Sequence, residues 1–539
     1  MSNNKNIATA LGYHDATKHS YSSVRFNPHS LDFDNQPLPF KIYPELELLR
    51  MPAEVRQTGI AALSAISTSI ASDVTAVPDL EAIAQLLFLS AGITRQRKYP
   101  GGEIYFRAAA CTGALYEIEL YLVCGDLPKL PAGVYHFAPA EFGLRRLRAG
   151  DYRDVLVEAT AAEPAVAHAP LNIVCTATYW RNAWKYQART YRHFGWDNGT
   201  LLANLLAVAT ALGLPAKVVC GFVDATVNRL LDLDSEREVA FTLVPIGYQA
   251  SVQSHNKLET TDVPALGFET VPLSSEEIDY PLMREMHAAS SLDSPEEVAE
   301  WRESSALALR EISANSSGRG NLSGAISAPP LEDSRIPLQP LSEQEMPRDP
   351  IEQVILRRGS SRRFARTAIS FRQLSTIVDR ATRGVPADFI VSDQVNSRTP
   401  LLNDIYLIVH AVEGLEPGAY FFNRDEGVLE RLKRGDFRDQ AGYLGLEQKL
   451  PADAAVDIFF LANLNPILNR LGNRGYRAVQ LEAGITGGEL YLAAYAQRLG
   501  ATGLTFYDDD VTRFFSPHSA GKSAIFLVAV GHSVKRRTV

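Results

Sequence analysis

GVYHFAPAEFGLRRLRAGDYRD (Gly133–Asp154) and GAYFFNRDEGVLERLKRGDFRD (Gly418–Asp439) are two versions of one pattern. Each alternates apolar and polar side chains on both sides of a short turn, the period of a half-buried β-hairpin. Working outward, an aliphatic strand precedes each hairpin, Glu119–Val123 in one and Ile405–Val409 in the other, and a wholly apolar strand follows, Leu171–Tyr179 or Val456–Leu464. Next comes a long apolar helix, Tyr191–Leu214 or Tyr476–Ala501, expected to stop at a left-handed glycine, Gly213 or Gly500. A short helix, a loop and a closing strand complete both copies, Val227–Gly247 and Val511–Gly531. The same segments recur in the same order, so the chain is an internal duplication of one α+β unit. A helix apolar nearly all round must be buried on every side.

Outside the repeat the character of the chain changes. Residues 1–75 form an arm and lead-in rich in extended aromatic and proline-containing sequence, 76–250 the first domain, 251–345 a linker and 346–539 the second domain. The linker combines a segment of helical spacing that docks on a domain, Pro295–Ile312, with a Ser/Gly/Pro-rich stretch, Ser313–Pro340. At 539 residues the chain exceeds what one core organises. A formal charge of -9 argues against nucleic acid as a partner, because phosphate neutralisation needs a basic field. No apolar run reaches the roughly 20 residues of a membrane span, and the opening MSNNKNIATALGYHD has no signal-peptide core, so a cytoplasmic protein is expected. The four cysteines, Cys111, Cys124, Cys175 and Cys220, lack the spacing of a metal site or a disulfide framework.

The densest chemical motif is ILRRGSSRRFARTAISFRQLSTIVDRA (Ile355–Ala381). Arginines and small hydroxyls precede a helix opened by Ser370, which with Gln373 makes a capping-box pattern. Guanidinium forks paired with hydroxyl and backbone donors suit a phosphate. The segment resembles the amino-terminal flavin-phosphate motif of the nitroreductase family. The rest of the chain resembles the SagB/ThcOx-type branch of that family, which oxidises peptide thiazolines and oxazolines: YHDATKHSYSSVR (Tyr13–Arg25), LLFLSAGITR (Leu86–Arg95) and TGALYEIELYLV (Thr112–Val123) carry the likeness. The resemblance implies two tandem nitroreductase-like domains forming an intramolecular pseudo-dimer, with FMN held between the copies. Whether chains associate further is left open.

On that resemblance Arg358, Ser360 and Arg362 would take the phosphate, helped by Lys535 or Arg537. Cys111, Thr112 and Gly113 stand where the family has a Ser-Ala-Gly loop, with Ala110 in place of its proline, and Thr505 and Phe506 stand where the flavin ring meets a glycine. The copies differ in complementary ways. The first has STSIASDV (Ser67–Val74) in place of the arginine motif, and the second has VNSRTP (Val395–Pro400) in place of the small-residue loop, which implies one FMN per chain. WRNAWKYQARTYRHF (Trp180–Phe194) carries a Lys-Tyr pair, Lys185 and Tyr186, like the pair assigned to proton transfer in azoline oxidases. A lysine of lowered pKa would take the proton while hydride passes to the flavin. The same segment also reads as a packed amphipathic stretch with solvated cations. His193 and Asp197 read either as a helix-start pair near the site or, the reading preferred, with the histidine as a structural one, and Asp508, Asp509 and Asp510 read as an acidic helix start rather than a metal site. The expected function is an FMN-dependent dehydrogenase of a peptide azoline or related small substrate. The alternatives are an NAD(P)H-dependent nitro or quinone reductase, and a non-catalytic scaffold with a decayed flavin site.

Overall fold

The computed structural model describes residues 3–26, 28–99, 102–250, 263–305, 334–390 and 401–534. Each copy builds one sheet whose pairings are all antiparallel. In the first the strand order is Leu48–Arg50, Gly143–Ala149, Gly133–Ala138, Ile118–Cys124, Leu171–Thr178, Glu238–Ile246. In the second it is Arg335–Pro337, Val428–Arg434, Gly418–Asn423, Asp404–Val409, Val456–Ala462, Ser523–Ser533, with Phe364–Ala365 beyond and Gly500–Leu504 also on the last long strand. The two orders coincide, so the duplication seen in the sequence is a duplication of topology. Both hairpins form in the expected register, and even their edge strands match: Leu49 opposes Leu144 as Ile336 opposes Leu429.

The long helices Thr190–Ala211 and Arg474–Ala496 lie against each other between the sheets, buried over almost their whole length. Their approach depends on glycine. A Cβ on Gly199 would lie 2.5 Å from Gly484 Cα, and one on Gly195 would collide with the Cβ of Gln480. Gly199 and Gly484 hold the same place in the two copies, as do Gly195 and Gln480, so each position meets its own counterpart, as on a two-fold axis. One apolar cluster runs through both copies, from Leu86 and Val174 to Val354, Ile458 and Val528.

Buried ion pairs repeat the symmetry. Arg189 and Arg192 reach Asp508 of the other copy at 3.2 and 2.6 Å, and their counterparts Arg474 and Arg477 reach Asp224 at 2.5 and 2.9 Å. The arginines hold Asp224 down at about 2 against the upward push of burial, and hold Asp508 well below the carboxylate range in the same way. Asp508 does open a helix, Asp508–Phe515, but its side chain serves the other copy. Segments outside the repeat cover both clusters. Helix Ala8–Ala16 covers one, with the His14 carbonyl accepting from Arg192, and helix Pro281–Ala289 covers the other, with the His287 carbonyl accepting from Arg477.

The glycine caps divide. Gly213 has φ +70° after the first long helix, as expected. The second helix ends at Ala496 with Arg498, at φ +62°, in the left-handed position, and Gly500 begins a strand. Gly500 is needed for close approach instead, since a Cβ there would strike Ser361 Oγ. The capping box of Ser370 and Gln373 is present in both directions. Of the expected linker helix, residues 295–305 are helical; the rest of it, and all of the Ser/Gly/Pro-rich stretch up to residue 333, lie outside the described residues.

Candidate active site

The loop Ala110–Gly113 is fastened to the first long helix. Asp197 accepts from Thr112 N at 2.8 Å, from Thr112 Oγ1 at 2.9 Å and from Cys111 Sγ at 3.3 Å, and Thr200 Oγ1 donates to the Ala110 carbonyl at 2.6 Å. Side-chain anchors thus hold the loop although proline is missing from it. Gly113 has φ +64°, and a Cβ there would lie 2.9 Å from Tyr186 Oη, so the phenol rests directly on this glycine.

Glu117 completes a buried group. Its carboxyl, that of Asp197 and the Cys111 sulfur all lie within 4.8 Å of one another. Burial drives the Glu117 carboxyl well above its ordinary range, and the Asp197 charge adds to this; burial raises Asp197 too, but the Thr112 donors favour its ionised form. Two carboxyls this close share a proton, and Glu117 holds it. Burial, Asp197 and Glu117 likewise keep the Cys111 thiol protonated, matching its role as a donor. With Thr112 N–H and O–H filling Asp197 and Tyr116 N–H donating to Cys111 Sγ at 3.0 Å, the cluster is built as a hydrogen-bonded anchor. Beside it lies a cavity of about 20 Å³, room for one water.

The arginine motif of the second copy faces this loop. Arg358 Nε donates to the Ala108 carbonyl at 2.9 Å and Nη2 to that of Arg107 at 3.3 Å, just before Cys111 in the chain, while its guanidinium lies 5.9 Å from the Tyr491 ring centre. Ser360 Oγ is 3.4 Å from Tyr491 Oη. Arg362 is exposed. Its charge reaches Tyr186 and Lys185 of the first copy. The half-buried Lys185 is pushed below its ordinary value by desolvation and then by Arg362, whereas burial raises the Tyr186 phenol. The Lys-Tyr pair, the small-residue loop and the arginine motif therefore converge, from three stretches far apart in sequence. Lys185 and Tyr186 end helix Tyr179–Tyr186, which is held by Trp184 Nε1 on the Asp32 carbonyl and by fully buried Arg181 on Glu119 at 2.6 Å. The tryptophans pack as an amphipathic reading requires, while Lys185 is half-buried.

Phe506 is fully buried, 6.4 Å from Trp196 and 5.7 Å from the Arg189 guanidinium. Thr505 Oγ1 is buried with no partner among the described residues. Exposed Arg362, the Ser360 hydroxyl and this orphaned hydroxyl are the donors left uncommitted, since Thr112 is spent on Asp197 and Arg358 already donates to two backbone carbonyls; their chemistry suits a group with an anionic tail and a polar ring. Lys535 and Arg537 lie outside the described residues, as does Val395–Pro400.

At the pseudo-symmetric position Gly221 is covered. Asp388 accepts from Cys220 N at 2.8 Å and from Gly221 N at 2.7 Å, and the Trp301 ring lies 3.1 Å from where a Gly221 Cβ would be. Sequence reasoning missed Glu117, Asp388 and Tyr491, and gave Asp197 no role in the loop. Glu117 lies within the quoted Thr112–Val123 stretch but nothing local marks it, and the partners of Asp197, Asp388 and Tyr491 are remote in the chain. His193, bonded to Asn182 at 2.8 Å and packed on Tyr186, is the structural histidine expected.

The model of the Nitroreductase family matches residues 76–248 and 355–532. The trifolitoxin-processing protein TfxB of Rhizobium leguminosarum bv. trifolii is 30% identical over 149 residues, 27% of this chain and 40% of that protein. The microcin B17-processing protein McbC of Escherichia coli is 27% identical over 154 residues, 28% of this chain and 53% of that protein. The crystal structure of a putative nitroreductase from Anabaena variabilis superposes with a TM-score of 0.72 at 24% identity, covering 98% of this chain and 99% of that one, so its fold is the same in both halves. Among the described residues no helix is long and apolar enough to cross a membrane.

Proposed function

The chain belongs to the nitroreductase family, in tandem form, and is an oxidoreductase; from that premise we propose that it binds one FMN between the two copies, beside the Thr112 loop, and dehydrogenates a peptide azoline or related substrate there. The observation that carries the proposal is the meeting of Lys185 and Tyr186 with Arg362 across the two copies, beside the Thr112 loop. Arg358, Ser360 and Arg362 would hold the phosphate, the Cys111–Gly113 loop and Thr505 would border the ring, and buried Phe506 would back it. When bound, FMN supplies the two-electron acceptor for the substrate hydride. Lys185, its ammonium form disfavoured by desolvation and by Arg362, takes the proton that leaves the substrate carbon. Tyr186, kept protonated by burial, donates a hydrogen bond to the reacting group. The names of the trifolitoxin- and microcin-processing relatives support product maturation as the setting.

The test begins with the purified chain, which should be yellow and carry one FMN. Arg358→Ala with Arg362→Ala should weaken FMN retention by about 1.5–3 kcal/mol per lost charged contact. Unchanged flavin occupancy in that double variant removes the phosphate assignment. Under anaerobic conditions a thiazoline peptide should bleach the flavin and Lys185→Ala should abolish the bleaching. Bleaching by NADPH alone would favour a nitro or quinone reductase, and a colourless protein that takes up no FMN would favour a scaffold.

A further inference from the structure

Strands Ile93–Tyr99 and Gly102–Arg107 form an antiparallel ribbon joined to neither main sheet. Its register sorts the side chains onto two faces. On one, Gln96 opposes Tyr105 and Lys98 opposes Glu103. That face is compensated: Glu103 accepts from Tyr105 at 2.6 Å, from Lys98 at 3.0 Å and from Gln96, and the Tyr105 ring packs 5.1 Å from Phe40. On the other, Arg95 opposes Phe106, Arg97 opposes Ile104 and Tyr99 opposes Gly102. There Tyr99 is 52% and Ile104 41% exposed, and neither Arg95 nor Arg97 has an acidic partner among the described residues. In a chain of net charge -9, one ribbon face thus presents two guanidiniums without a carboxylate partner among the described residues, Arg95 lying 4.5 Å over the Phe106 ring, beside exposed apolar groups. The ribbon ends in the Arg107 and Ala108 carbonyls that receive Arg358, and Arg95 is near enough to act on the Arg358 charge.

We propose that this face docks an extended acidic peptide segment and leads it to the groove, a role that rests on the peptide-substrate reading above. Same-face residues of an extended strand recur about every 6.6–6.8 Å. Arg95 and Arg97 therefore match two carboxylates two positions apart in a strand laid along the ribbon, while Tyr99 and Ile104 receive apolar side chains at further positions of the same parity. Unpaired ribbon edges offer the backbone bonds that fix such a strand.

The experiment uses the full chain loaded with FMN and a fluorescein-labelled peptide repeating Glu-Ser-Glu-Ser-Leu-Ser, which puts Glu and Leu on one face of a strand, followed by anisotropy, with a Lys-for-Glu peptide beside it. The acidic peptide should bind in a salt-sensitive way and the basic one should not. Arg95→Glu with Arg97→Glu should weaken the acidic peptide at least about tenfold and leave FMN absorbance intact. Glu103→Lys, on the opposite face, should still bind it. Equal binding by wild type and the charge-reversed variant overturns the proposal, as does binding to phosphatidylserine vesicles with no binding of peptide. Absence of FMN in the wild type would count against the flavoenzyme reading, while the anisotropy result would still decide the ribbon.

Discussion

Thr112 and Cys111 direct three donors to the carboxylate of Asp197, so one side chain decides where the loop under Tyr186 sits. Its neighbour Glu117 already holds a proton. Asp197→Asn keeps the size but removes the charge, and should weaken FMN binding by about 1.5–3 kcal/mol. Glu117→Gln reproduces a neutral carboxyl and should bind FMN as the wild type does. Flavin titration checks both, and equal losses in the two variants would refute the anchor role of Asp197. The sequence reveals Cys111, Thr112 and Gly113 because they are contiguous and small. Asp197 stands beside a histidine and suggests a local pair, whereas its partner is the backbone of residue 112. A hydrogen bond between remote stretches leaves no spacing to read. The same is true of Asp388, which covers Gly221 from the opposite copy.

At the scale of elements the decisive contact is the crossing of the two long helices. A Cβ on Gly484 would come within 2.6 Å of the Gly195 carbonyl and 2.8 Å of Trp196 Cα, and backbone cannot yield as a flexible side chain can. Gly484→Ala should therefore cost at least the 1–3 kcal/mol typical of overpacking, about, read from the urea midpoint. A variant of wild-type stability would mean that the helices can part. Strands and helices were legible because apolar periodicity and the cap at Ser370 are local. Gly500 was misread because a glycine after a helix suggests a cap. The need it meets, room for Ser361, comes from a segment more than a hundred residues earlier. The reciprocal arginines on Asp224 and Asp508 were hidden for a similar reason, since each pair joins the two copies.

For the whole molecule, the matching strand orders and the shared axis make two copies one body. The largest apolar cluster spans both copies, so heating should give one cooperative transition that coincides by fluorescence and circular dichroism. Excess FMN should raise its midpoint, since a ligand held only by the native state stabilises it. Two separate transitions would show that each copy stands alone. Duplication was plain in the sequence because each copy must build the same sheet. What covers Gly221 was only partly plain, because Trp301 arrives from outside the repeat. On the proposed reading of one FMN per chain, that side chain and Asp388, seated over Gly221, leave a chain acting alone no second centre with which to communicate. Its saturation curve should then be hyperbolic, and dithionite should be consumed at one two-electron equivalent per polypeptide rather than per family unit.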